Sequence, residues 1–135
     1  MGMDVYGRKP SSPAGEYFRA NVWSWRPIHV LMIELCSDLL NPKTLSKMAL
    51  NDGAGPKAQK TCTEMAKRFE QWMEHHTEGY TVESDLRITL EGRFVSAEEL
   101  AANPDLETTT PYGVSDEHLK EWIEFLRHCG GFQVW

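Results

Sequence analysis

The run from Ile28 to Leu40 places the strongest constraint on what this chain can fold into. Ile28, Leu31, Met32, Leu35, Cys36 and Leu39 recur at three- and four-residue spacing, and Val30, Ile33 and Leu40 broaden the stripe. A helix apolar on most sides is buried on most sides, so the rest of the chain has to supply layers that cover it. Pro27 suits the first position of such a helix, where its missing N–H would be unpaired anyway, and Asn41-Pro42 ends it; the pattern predicts a central core helix over 27–40. His29, Glu34, Ser37 and Asp38 interrupt the run, which is also too short to span a bilayer.

The covering elements are legible at both ends. Ala58, Cys62, Met65, Phe69, Trp72 and His76 step by three and four, predicting an amphipathic helix over 56–76 with Pro56 at its start. Ser115 caps a third helix, 116–129, with Leu119, Trp122, Ile123 and Leu126 on one face and Gly130-Gly131 after it. Met3–Tyr6 and Phe132–Trp135 read as strands. Leu86, Ile88 and Leu90 alternate with polar residues, and Glu91-Gly92 turns them into a second strand, Arg93–Val95. Ser96-Ala97-Glu98-Glu99 fits a capping box opening a short helix to about Ala102, and 103–115 reads as loop. The expected fold is α+β, three main helices packed on a small antiparallel sheet that joins 3–6, 132–135 and 85–95. With 135 residues and neither a repeat nor a dividing linker, one domain, 1–135, is expected.

Charge narrows the function classes. The net charge is −6, and Glu98 to Glu124 holds eight acids against the single base Lys120. Generic binding to DNA or RNA requires a basic face that neutralises phosphates, so it is not expected. The acidic stretch reads either as solvated helix and loop surface or as a field that steers a basic partner, even one that imitates phosphates toward a basic groove. Cys36, Cys62 and Cys129 are odd in number and widely spaced, and Met1-Gly2-Met3-Asp4 lacks a basic and an apolar signal region. A reducing, cytoplasmic setting without membrane attachment is the expectation.

Catalytic constellations do not emerge. His75-His76 and His128-Cys129 are adjacent pairs whose members point about 100° apart on a helix, a poor start for a zinc site. The cysteines sit on apolar helix faces, where thiols are packing residues. Asn51-Asp52-Gly53-Ala54-Gly55 offers N–H groups at a helix start, but no Gly-Lys-Ser/Thr follows it. No catalytic residue, metal ligand or cofactor is therefore assigned. The richest segment is Tyr17, Arg19, Trp23, Trp25 and Arg26, which combines arginine forks with aromatic faces. Three readings of it stay open. Its aromatics belong to the core with the arginines lying over them, or it anchors a protein partner as Trp, Tyr and Arg do at interface hot spots, or it holds an anionic or nucleotide-like ligand.

Met3-Asp4-Val5-Tyr6-Gly7, Pro10, Gly15-Glu16-Tyr17-Phe18-Arg19, Val22-Trp23 and Trp25-Arg26-Pro27, with Glu124-Phe125-Leu126-Arg127 and Gly130-Gly131-Phe132 at the other end, resemble a family of small uncharacterised phage, prophage and bacterial proteins. The resemblance covers roughly a third of the chain and implies a mobile-element setting without an established activity. A Cys-x-x-Cys zinc module found in some members has no counterpart here. Together these readings lead to a small non-enzymatic binding protein, an accessory product that occupies a host protein, for instance as an inhibitor of a defence complex. The runner-up is a small-molecule site or enzyme using the same Arg/Trp segment, and a self-associating virion component is the third reading.

Overall fold

The computed structural model describes residues 2–135. Strand β1 (Gly2–Gly7) lies between β2 (Tyr17–Asn21) and β8 (Phe132–Val134) in an antiparallel sheet. Met3 faces Ala20, and Val5 stands between Phe18 and Val134. Side chains alternate across a strand, and here Met3, Val5, Phe18, Ala20, Phe132 and Val134 all point into the core. The chain ends pair as the sequence suggests. The third strand is β2 rather than 85–95, because Tyr17-Phe18-Arg19-Ala20-Asn21 alternates exposed with buried residues after the single 3₁₀ turn Pro13–Gly15. Residues 87–95 pair apart from this sheet: β4 (Arg87–Thr89) lies between β5 (Phe94–Val95) and β6 (Thr108–Thr109). A third, two-stranded sheet joins β3 (Tyr80–Thr81) to β7 (Gly113–Val114). The stretch 103–115 thus carries two short strands instead of being loop throughout.

The first helix, α1 (Val22–Cys36), begins five residues before Pro27. Asn21 caps it, its side chain accepting from the Ser24 N–H at 2.9 Å, so the aromatic run 22–26 is helical. Pro27 falls in the second turn, where its ring removes one helix hydrogen bond. Burial covers one broad face (Trp25, Ile28, Leu31, Met32, Cys36) and leaves Ile33 and Glu34 exposed. Asn41-Pro42 opens a helix rather than closing one: Asn41 caps α2 (Pro42–Lys47) through the Lys43 N–H at 2.9 Å. The amphipathic helix is α3 (Gln59–Met73), shorter than expected at both ends. Pro56 remains outside it, its carbonyl taken by the Phe132 N–H at 2.9 Å.

Helix α4 (Ala97–Ala102) starts at Ser96, which accepts from the Glu99 N–H at 3.1 Å, while the Glu99 carboxylate turns to Arg93 instead of back to the cap. Helix α5 (Asp116–His128) is capped by Ser115 on the His118 N–H at 3.1 Å. It packs against α3, where Gln59 donates to the Leu126 and Arg127 carbonyls at 2.9 Å and accepts from Gly130 at 2.6 Å.

Trp122 is the centre of the core. It is fully buried and lies within ring contact of Phe18, Trp25, Phe69, Phe125 and Phe132. Each such side chain contributes about 1.5–3 kcal/mol by burial, and this cluster is what unites both ends of the chain with α1, α3 and α5. No helix is long and apolar enough to cross a membrane among the described residues.

Candidate functional site

The structure divides the five sequence candidates among three places. Trp25 lies one and two turns before Ile28 and Met32 on the buried face of α1 and is 3% exposed. Its indole N–H donates to the Met48 carbonyl at 2.9 Å, and its ring meets Trp122 edge-on at 5.5 Å. This corrects its reading as a contact residue, since the core occupies both its face and its polar atom.

Tyr17 and Arg19 stand on the solvent side of β2, opposite Tyr6 and Asp4. The Tyr17 hydroxyl donates to Asp4 Oδ1, and Arg19 Nη1 donates to the same oxygen at 2.8 Å. The hydrogen bond to the Asp4 carboxylate holds the Tyr17 hydroxyl above its ordinary pKa, because ionising it would place a second anion beside the first. Arg19 and Asp4 therefore form an ion pair on the solvent face of the sheet.

Trp23 and Arg26 come together with two residues that no local pattern connects to them. The Trp23 ring lies 5.0 Å from Tyr112 and 5.6 Å from Phe94, and the Arg26 guanidinium sits 4.4 Å over the Tyr112 ring. Arg26 has no carboxylate within ion-pair distance among the described residues. Phe94 is 52% exposed, and Leu86 and Leu90, at the two ends of the β4 segment, are exposed as well. Helix α1 places Trp23 and Arg26 three residues apart, hence on one face. The β4–β5 pairing sets Phe94 opposite Ile88, so the hairpin presents its apolar side beside that face. The result is an open aromatic and aliphatic surface with one cation stacked in it. Beside it lies a hollow of about 600 Å³ lined by Arg26, Tyr112, Leu86, Glu83 and Asp85. Glu83 is paired with Arg87 at 3.3 Å, which leaves Asp85 against Arg26 and no net positive charge in the hollow to draw an anion.

Phe94 and Tyr112 escape sequence reasoning because they lie more than sixty residues from Trp23, Phe94 on a two-residue strand and Tyr112 just before another, too short for a periodic signal; Leu86 and Leu90 read as part of a strand, but nothing local sets that strand beside Trp23.

The other reactive groups are engaged structurally. All three cysteines are buried. Desolvation pushes the Cys36 thiol up to about 12, and a hydrogen bond shared with Cys129, with burial, holds Cys62 well above the ordinary thiol range. His29 meets the Leu45 carbonyl at 2.7 Å, His76 the Trp72 carbonyl at 2.7 Å and His118 the Arg19 carbonyl at 2.9 Å. In the 51–55 turn, the Gly53 N–H donates to Val134 at 2.7 Å and the Ala54 N–H to the Asp52 carboxylate at 3.3 Å. Among the described residues no group of three or more His, Cys, Asp or Glu side chains is placed to hold a metal ion. Searches against protein-family models, curated proteins and solved structures find no match to this chain.

Proposed function

We propose that this chain is a small non-enzymatic binding protein that works in the cytoplasm by occupying a protein partner, with Trp23, Arg26, Phe94 and Tyr112 as the centre of the contact surface. The observation that supports this reading is the exposed Phe94 ring against the half-buried Trp23, beside an Arg26 stacked on Tyr112. Aromatic and arginine side chains carry most of the binding energy at protein interfaces, and contiguous exposed apolar surface on a soluble chain marks such sites. Leu86 and Leu90 extend the apolar area. Glu83, Asp85 and Glu91 supply a polar acidic rim, which favours a partner with basic residues around an apolar pocket. The resemblance to phage and prophage proteins makes a host protein the natural target, with inhibition by occupancy as the mode of action.

Paired affinity capture from host lysate after nuclease treatment tests the reading, using the wild-type chain and a Phe94→Glu/Arg26→Ala variant matched in melting temperature. One stoichiometric complex held by the wild type and lost from the variant supports it. Equal capture by both removes this surface as the interface.

A further inference from the structure

We infer that the outer edge of β2 is a docking site for an extended basic peptide, which joins the sheet as an added strand in the groove between β2 and α5. This surface is separate from the Trp23–Phe94 contact and does not depend on it.

The ladder fixes which way the β2 backbone points. Gly7 N–H donates to the Glu16 carbonyl at 3.1 Å, and bonded pairs alternate in an antiparallel ladder. Val5 with Phe18, and Met3 with Ala20, are therefore the bonded pairs in this register. Tyr17 and Arg19 turn their N–H and C=O groups away from β1. The Arg19 carbonyl accepts from His118 Nε2 at 2.9 Å. The Tyr17 N–H, the Tyr17 carbonyl and the Arg19 N–H have no protein partner among the described residues. At the opposite side of the sheet the edge is closed: Phe132 N–H reaches the Pro56 carbonyl and Val134 N–H the Ala54 carbonyl, both at 2.9 Å, and Gly53 returns a bond to Val134 at 2.7 Å. Folded proteins generally cover or blunt a free edge. This one is open at both Tyr17 groups and at the Arg19 N–H, while His118 covers the Arg19 carbonyl.

Beside that edge runs a groove of about 560 Å³, with Ala14 and Phe18 as its apolar wall and Lys120, Glu121 and Glu124 on the α5 side. A strand paired with β2 alternates its side chains between the solvent face, next to Tyr17 and Arg19, and the groove. Charge selects the occupant. Lys120 is paired with Asp116 at 3.2 Å and Arg19 with Asp4 at 2.8 Å, whereas Glu16, Glu117 and Glu121 have no ion-pair partner among the described residues. A lysine or arginine entering the groove lays its aliphatic stem along the apolar wall and brings its charge to Glu121. Acidic segments are repelled. Backbone pairing supplies the affinity and the alternate side chains the selectivity, as in strand addition generally.

The test is amide NMR of the ¹⁵N-labelled chain titrated with an octapeptide of alternating Lys and Val, with the alternating Glu and Val octapeptide beside it. The expected result is saturable shifts of the Tyr17, Arg19 and Asn21 amides with the lysine peptide. The dissociation constant is expected to rise at least about fivefold from low to roughly physiological salt, as screening shortens. N-methylation of alternate peptide residues abolishes the shifts, and the Glu peptide produces none. Tyr17→Pro removes an outward N–H together with the Tyr17 hydroxyl bond to Asp4, and it presses on Glu16, whose backbone is helical at φ −76° and ψ −40°; it weakens binding at least about tenfold. If that variant unfolds, Glu121→Lys gives the same reading through charge. Phe94→Glu binds the peptide as the wild type does. The proposal is overturned by an absence of saturable shifts on β2 at millimolar peptide, by equal response to the acidic peptide, or by undiminished binding of the N-methylated one.

Discussion

Arg8 donates from Nε to the Phe132 carbonyl at 3.1 Å, tying the residue after the first strand to the first residue of the last. The same nitrogen reaches the Pro56 carbonyl at 3.2 Å, and Nη2 reaches Gly55 at 3.3 Å. One guanidinium thus joins three segments more than forty residues apart. Arg8→Ala leaves those carbonyls short of a donor in a partly buried place, which costs about 2–3 kcal/mol. Urea unfolding measures it. A loss under about 0.5 kcal/mol, the size of an ordinary surface change, would show that the hub is not structural.

A Cβ added at Gly15 would sit 2.0 Å from the His128 carbonyl oxygen, whereas one added at Gly92 would have nothing within 4 Å and only a φ of +94° to strain it. Gly15→Ala therefore forces the start of β2 away from the end of α5 and destabilises by more than about 3 kcal/mol. Gly92→Ala costs about 1 kcal/mol, the left-handed penalty alone. Comparable unfolding midpoints for the two variants would contradict this account.

The two tryptophans that meet in the core differ in their polar atoms. Trp25 Nε1 is bonded to Met48, while Trp122 Nε1 is buried without a partner. Trp122→Phe removes an unsatisfied donor along with some volume, and these effects oppose one another, giving a net loss under about 1.5 kcal/mol. Trp25→Phe removes a satisfied donor and orphans the Met48 carbonyl, giving about 2–3 kcal/mol. Chemical denaturation of the pair checks the order, and a larger loss for Trp122→Phe reverses it.

Cys36, Cys62 and Cys129 are all fully buried. The thiolate is the reactive form and needs access, so an aromatic disulfide reagent at pH 8 labels the native protein only as fast as it unfolds. In denaturant all three react. Rapid native labelling of any one would place that thiol at the surface.

The sequence shows its helices where a polar cap meets a clear period, as Ser115 and Ser96 do. It misleads where two signals compete. Pro27 is a common first residue, and its presence hides the cap at Asn21, which carries the start of α1 back to Val22. That error matters for the site, because it is the helical turn that separates Trp25 from Trp23 and Arg26. Strand β2 does alternate, but Tyr17 and Arg19 read as binding chemistry before they read as the outer side of a strand. Phe94 and Tyr112 had no local mark at all, since their role arises from pairings with distant segments. Gly7, Gly15, Gly130 and Gly131, all within the segments that the sequence reading compares with phage and prophage proteins, sit where other backbone leaves no room for a side chain.

On the proposed reading, function lies on the Trp23–Phe94 surface, and Gly7, Gly15, Gly130 and Gly131 belong to the frame that holds it. Hydrogen–deuterium exchange of the chain, free and in complex with the captured partner, separates these directly. Protection concentrated at 22–26, 86–94 and 110–113, with the Arg8–Phe132 region unchanged, is the predicted result. Protection elsewhere with none in those segments would contradict it.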